Sequence, residues 1–298
     1  MRKAILACVV TALVVGVGTA TAAKLITSGD VKNNTLKSPD FKNGGIKKED
    51  IKKGTITRDR LNQQVKAQLF AASGHWGVID RNTIGSPSAS LRSGPATPEI
   101  AGPPPSIPAQ APPFGTGSLN LIVSGAPTVP AGQEEKVAYG NEFDFVGDSF
   151  ADVTAVGFHL YTTPENISGG GTGNLPSITF EVDPNLTGVG DNFASLVFFP
   201  EPILLPLVWS DYIDATTTGL WGGTGDGFTG TPCDIDGARC TFAELQDQLD
   251  DGGDPPLIGS VAITKGRDNS FQGAVDGLRI NDTVYDFEET GVLERTPQ

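Results

Sequence analysis

Glu181 and Asp183 stand two residues apart in the run Ile178-Thr179-Phe180-Glu181-Val182-Asp183, where apolar and polar residues alternate. A period of two puts both carboxylates on one face of a strand. Glycoside hydrolysis works with a pair of carboxyl groups across a cleft. One protonates the leaving oxygen and the other acts as nucleophile or base. Here Pro184 interrupts the strand, and Asn185 and Leu186 follow. The chain offers no further carboxylate at that point, so Glu181 and Asp183 read as the solvated face of the strand. No Gly-x-Ser-x-Gly occurs, and His159 alternates with apolar neighbours as a strand-face residue.

Three other groups of residues carry chemistry. Trp209, Tyr212, Asp214 and Trp221 lie close in sequence. Sugars stack on aromatic faces beside carboxylate acceptors, so this set is a candidate glycan site. Trp209 follows Leu204-Leu205 and reads as core, whereas Trp221 precedes Gly222-Gly223 and reads as exposed. Asp226, Asp234, Asp236, Asp250, Asp251 and Asp254 form acidic turns. Hard oxygen donors suit calcium, and Asp234-Ile235-Asp236-Gly237 resembles the start of a calcium loop, with Asp234 and Asp236 as candidate ligands. The glycine comes too early for an EF-hand, and the twelfth-place glutamate is missing. Cys233 and Cys240 are the cysteines left once a leader is removed, and they predict one disulfide. Zinc is disfavoured, because two thiols with His75 and His159 fill a tetrahedral site poorly.

The leader is read from Arg2 and Lys3, the apolar run from Ala4 to Val17, and the small residues Ala20-Thr21-Ala22. These predict a secretory signal over residues 1–22, with no stable membrane span after its cleavage. An uncleaved anchor is the alternative. Residues 23–69 carry 11 Lys/Arg against 5 Asp/Glu, and residues 70–298 carry 8 against 30. The acidic portion argues against nucleic-acid binding. The basic portion suits an anionic envelope polymer or the acidic domain itself.

The segment at 23–70 has an apolar residue every fifth position: Ile26, Val31, Leu36, Phe41, Ile46, Ile51, Ile56 and Leu61. That step fits neither helix nor strand. It weakly resembles pentapeptide-repeat proteins and predicts either a short solenoid-like stalk or a flexible spacer. Residues 71–113 hold a first strand near Trp76 and a stretch from Gly85 with nine prolines, read as a linker or crossing loop. Residues 114–290 are predicted as the sandwich and 291–298 as a tail. Leu119–Val123, Val156–Leu160, Ile178–Val182, Val261–Ile263, Leu278–Ile280 and Val284–Phe287 alternate as strands, and Leu196–Phe199 reads as a strand buried on both faces. Thr241-Phe242-Ala243-Glu244 is a capping box that starts one short helix.

Gly-Thr-Gly-Ser-Leu at 115–119, Leu-Pro-Ser-Ile-Thr-Phe-Glu-Val-Asp-Pro-Asn at 175–185, and Phe-Gln-Gly-Ala-Val-Asp-Gly-Leu-Arg-Ile-Asn at 271–281 continue into Val284-Tyr285-Asp286-Phe287-Glu288. In these segments the chain resembles exported actinobacterial proteins of unknown function built on a concanavalin-like jelly roll. The resemblance covers most of residues 75–290. It implies an antiparallel jelly-roll sandwich in an exported setting, with a closing segment in which the aspartate holds a turn and Tyr-Asp-Phe ends the sheet. It implies no activity. Laminarinase-type glucanases share the jelly roll and carry Glu-x-Asp-x-(x)-Glu, and Asn185 and Leu186 occupy the places of the last glutamate.

The sequence therefore predicts a mainly β, non-enzymatic, secreted or cell-surface sandwich on a basic stalk. Its expected partners are envelope or extracellular glycans, with calcium as the candidate ion. A purely structural surface protein and a degenerate glycoside hydrolase are the alternatives.

Overall fold

The computed structural model describes residues 74–97, 99, 109–125, 129–166, 174–190, 192–202 and 205–297. The leader, the period-five segment and residues 98 and 100–108 of the proline-rich stretch lie outside them. The described chain is mainly β, as its alternating runs require. In chain order the strands are β1 (Trp76–Val78), β2 (Ser88–Ser93), β3 (Gly117–Val123), β4 (Lys136–Asn141), β5 (Val156–Thr162) and β6 (Ser177–Asp183). There follow β7 (Ala194–Phe199), β8 (Ile213–Asp214), β9 (Leu220–Gly223), β10 (Leu257–Gly266), β11 (Phe271–Ile280), β12 (Thr283–Glu288) and β13 (Gly291–Arg295).

They form two antiparallel sheets of a sandwich. The front sheet runs β1-β4-β10-β6-β7-β9. The back sheet runs β13-β12-β11-β3-β2, with β5 also on β11 and β8 on β5. Thus β1 and β2 are sandwich strands that precede the boundary expected at 114. β13 pairs with β12 from Gly291 to Arg295, so a strand stands where a tail was expected and Tyr285-Asp286-Phe287 does not end the sheet.

The core lies between the inner faces. Phe180, Phe198 and Trp221 of the front sheet meet Phe158, Tyr285 and Phe287 of the back sheet, all essentially without exposure. Burying each such side chain contributes about 1.5–3 kcal/mol. β7 departs from the expected doubly buried strand: it alternates, with Leu196 and Phe198 inside and Val197 and Phe199 only partly covered on the outer face. Helix α1 (Phe242–Leu249) begins at the expected capping box, with Thr241 and Glu244 bonded reciprocally. It buries Phe242, Leu245 and Leu249 and brings Phe242 to 5.5 Å from Trp221.

β11 is the hub of the back sheet. One edge pairs with β5. The other pairs first with β3 and then, past Asp276, with β12. The strands separate at that point, and the Asp276 carboxylate fills the gap. It accepts the backbone N–H of Phe114 at 2.9 Å and of Phe287 at 3.1 Å. The fully buried Asp276 therefore ties the segment that precedes β3, at Phe114, to β12, at Phe287.

Candidate functional site

The outer face of the front sheet carries a groove, and small side chains in register make it. Across the sheet Gly140 faces Ala262, Ala262 faces Thr179, Thr179 faces Val197 and Val197 faces Gly222. In the next row Ser260 faces Glu181 and Glu181 faces Ser195. Alternate residues of each strand share this face. Short side chains along the middle leave a cavity of about 310 Å³. At the end of this row a Cβ on Gly140 would stand 2.2 Å from the Val261 carbonyl oxygen, so the position takes only glycine.

Two walls bound the trough. One is the 3-10 turn Asp80–Asn82. It is fastened by the Ile79 N–H to the Ala138 carbonyl at 2.9 Å, with Ile79 packed on Ala138 and Ala262. The other is the disulfide loop, which pairs with edge strand β9. Trp221 and Cys240 exchange both backbone hydrogen bonds, and the Gly223 N–H donates to the Cys233 carbonyl. The Arg239 guanidinium covers the Phe199 ring at 3.4 Å. Ser177, Thr179, Ser195, Ser260 and Thr264 supply hydroxyls, and those of Thr179 and Thr264 bond one another at 2.7 Å.

Glu181 lies at the foot of the first wall and is buried, not solvated as its strand position suggested. Its carboxylate is gripped by both terminal nitrogens of Arg81, by Asn82 Nδ2 at 2.6 Å and by the Ser260 hydroxyl at 2.6 Å. Burial pushes its pKa up, but the bonds from Arg81, Ser260 and Asn82 and the charge of Arg81 outweigh burial and hold it below the usual range. A carboxylate so engaged is a poor proton donor, and its lone pairs are already used. Asp183, the partner on the same face, accepts the Asn185 N–H at 3.2 Å. Glu181 thus ties the turn to the sheet.

Removing the guanidinium leaves a buried carboxylate without its counter-charge. Breaking a fully buried pair costs about 3–5 kcal/mol. Arg81 is about half exposed, with a side-chain accessibility of 48%, so solvent screening reduces the figure. Arg81→Met is expected to lose roughly 1–3 kcal/mol at pH 7 in urea unfolding. A depressed carboxyl pKa gives stability that is present above the unfolded pKa and lost as pH falls through the folded one. The gap between parent and variant should therefore narrow on acidification.

The sequence-predicted residues fall elsewhere. Trp221 is wholly buried in the core, and its Nε1–H donates to the Ala215 carbonyl at 2.7 Å. It offers no stacking face, which corrects the reading of it as exposed. Trp209 packs on Tyr161 at the outer face of the back sheet, and its Nε1–H donates to the Pro95 carbonyl at 2.9 Å. Asp214 accepts from Thr216 N–H and Oγ1 in a turn. The four residues therefore do not converge on one ligand. Tyr212 borders a smaller recess of about 220 Å³ with Phe114, His159 and Arg279. Burial pushes its pKa up to about 12 and holds that of His159 below the ordinary range.

Cys233 and Cys240 are joined, with Cα atoms 4.8 Å apart. The bridge closes a short loop, so its reduction is expected to lower stability by about 2–3 kcal/mol in paired denaturant titrations. Asp234 is spent on its own loop. Its carboxylate accepts the N–H of Gly230 at 2.8 Å and of Asp236 at 3.0 Å. No group of three or more His, Cys, Asp or Glu among the described residues is placed to hold a metal ion. No helix among the described residues is long and apolar enough to cross a membrane.

The groove residues Lys136, Ser195, Thr264 and Arg267 carried no local motif. The small-polar alternation Ser260-Ala262-Thr264 is the sequence signal that marks the trough. No family model matches the chain, and neither a curated protein nor a solved structure does.

Proposed function

We propose that this chain is an exported, non-enzymatic protein that binds carbohydrate at or outside the cell envelope through the front-sheet groove. The observation that carries the reading is the trough of about 310 Å³ lined by short side chains and hydroxyls. A hydroxyl-rich, preformed concavity exchanges hydrogen bonds with a polyhydroxylated ligand at little reorganisation cost. The sequence-level leader and the resemblance to exported concanavalin-like proteins supply the setting. Engagement of Glu181 by Arg81, Asn82 and Ser260 supports a binding role over hydrolysis.

A purely structural surface role is the second reading. It is favoured by the covering of Phe199, the aromatic ring on the groove wall, by Arg239. A glycan array probed with secreted protein separates the two. The binding reading expects retention on one glycan class, lost in Val197→Trp, which fills the trough at an outward-facing position. Retention by washed cell walls with no glycan preference supports the structural role. Release of reducing ends from β-glucans overturns the non-enzymatic reading.

A further inference from the structure

Charge is distributed unevenly over this molecule. From residue 70 onward there are 8 Lys/Arg against 30 Asp/Glu. Yet Lys136, Lys265 and Arg267 line the groove, and Arg81 and Arg239 stand on its two walls. Much of the scarce positive charge of a strongly acidic domain is thus gathered on one face.

Three of these cations are already committed. Lys265 pairs with Asp268, Arg81 with Glu181 and Glu142, and Arg239 lies on the Phe199 ring. Lys136 and Arg267 have no ion-pair partner among the described residues. Both stand at one end of the trough, since Lys136 faces Gly266 across β4 and β10 and Arg267 follows Gly266. Lys136 is half-buried, and Arg267 is exposed. Burial lowers the Lys136 pKa, Glu181 opposes that, and the neighbouring charges of Arg267 and Arg81 lower it further. Glu135, next in the chain, has its carboxylate on the N–H groups of Ser86 and Ser124. A partly desolvated cation beside a like charge is unfavourable until an anion meets it.

We propose that the groove selects an acidic polysaccharide, with Lys136 and Arg267 reading its anionic groups and the Ser/Thr hydroxyls its sugar rings. This rests on the carbohydrate-binding reading above and narrows its ligand class. The acidic remainder of the surface repels a long polyanion, so attraction is confined to the groove, and a rigid nucleic-acid duplex is disfavoured.

The test is calorimetric titration of the secreted protein with hexagalacturonate, its neutral methyl ester, a sulfated oligosaccharide of matched length and a short single-stranded oligonucleotide. Each is run at low salt and at about 0.15 M salt, where screening shortens the reach of charge. At least one acidic oligosaccharide is expected to bind ten-fold or more tighter than the methyl ester and to weaken several-fold with salt. Preference between the carboxylated and sulfated probes identifies the anionic group. Lys136→Gln and Arg267→Gln should each cost about ten-fold in affinity without lowering Tm. Arg267, being exposed, serves alone if the Lys136 variant is destabilised. Equal binding of the ester, or binding of neutral glycans only, overturns the charge assignment and leaves the groove reading standing. Tighter binding of the oligonucleotide overturns the glycan class. No binding of any glycan removes both.

Discussion

Trp221→Ala is expected to destabilise the sandwich by about 3–5 kcal/mol, the usual cost of truncating a large buried aromatic. Trp221 is fully buried, with ring centroids of Phe198 and Phe242 at 5.4 and 5.5 Å and of Phe180 and Phe150 at 6.2 and 6.3 Å. It joins the front sheet, the helix and the turn at Phe150, so surrounding groups cannot collapse into the void without moving three elements. The substitution also strands the Ala215 carbonyl that the indole satisfies. Trp221→Phe keeps most of the volume and should cost less than half as much. Guanidinium unfolding reads both values. Loss of under 1 kcal/mol in the alanine variant would contradict this packing.

The second large effect is a pH dependence seated at Asp276. Burial pushes its pKa up to about 7, the N–H groups of Phe114 and Phe287 oppose that, and the charge of Asp286 adds to it. The folded carboxyl then holds its proton more tightly than the unfolded one. Its contribution is complete below the unfolded pKa near 4 and is lost as pH rises through about 7. The span from the ordinary value of 3.8 sets a ceiling of roughly 4 kcal/mol at 1.36 kcal/mol per unit. Asp286, also raised by burial and partly offset by Arg295, acts in the same direction. Glu181 acts with the opposite sign, but below the ordinary carboxylate range. The buried His159, held below its ordinary value of 6.5, gains stability as pH rises toward that value and offsets part of this loss, so unfolding free energy should fall on balance between about pH 4.5 and 7.5. Asp276→Asn should flatten the slope, at an absolute cost of about 1–3 kcal/mol for the N–H group left without an acceptor. A parent profile that is level or rises over this range contradicts the assignment.

What could be read from the sequence was local. The capping box at Thr241, the disulfide across one short loop and the alternating strands rest on neighbours a few residues apart, and the structure contains each of them. Trp221 was misread because Gly222-Gly223 is usually turn chemistry. Here those glycines sit in β9 and admit packed side chains. A Cβ on Gly223 would stand 2.2 Å from the Phe228 ring, and one on Gly222 would stand 2.8 Å from the Ile235 Cα. β7 was misread because Val197 and Phe199 are apolar on both counts, although they line the groove. The ion pair of Glu181 joins residues 100 positions apart, and no local pattern records it. The groove is likewise a product of register between β4, β10, β6 and β7, which come together only in the folded sheet.

The most direct test of the groove as the binding site is amide chemical-shift mapping with the oligosaccharide best retained on the array. Binding in the trough predicts perturbed amides on β10, β6 and β7, centred on Ser260–Thr264, Thr179–Glu181 and Ser195–Val197, with the Tyr212–His159 recess unchanged. Perturbations centred on Phe114, His159 and Tyr212, or a saturating ligand that leaves the front sheet unshifted, would contradict it.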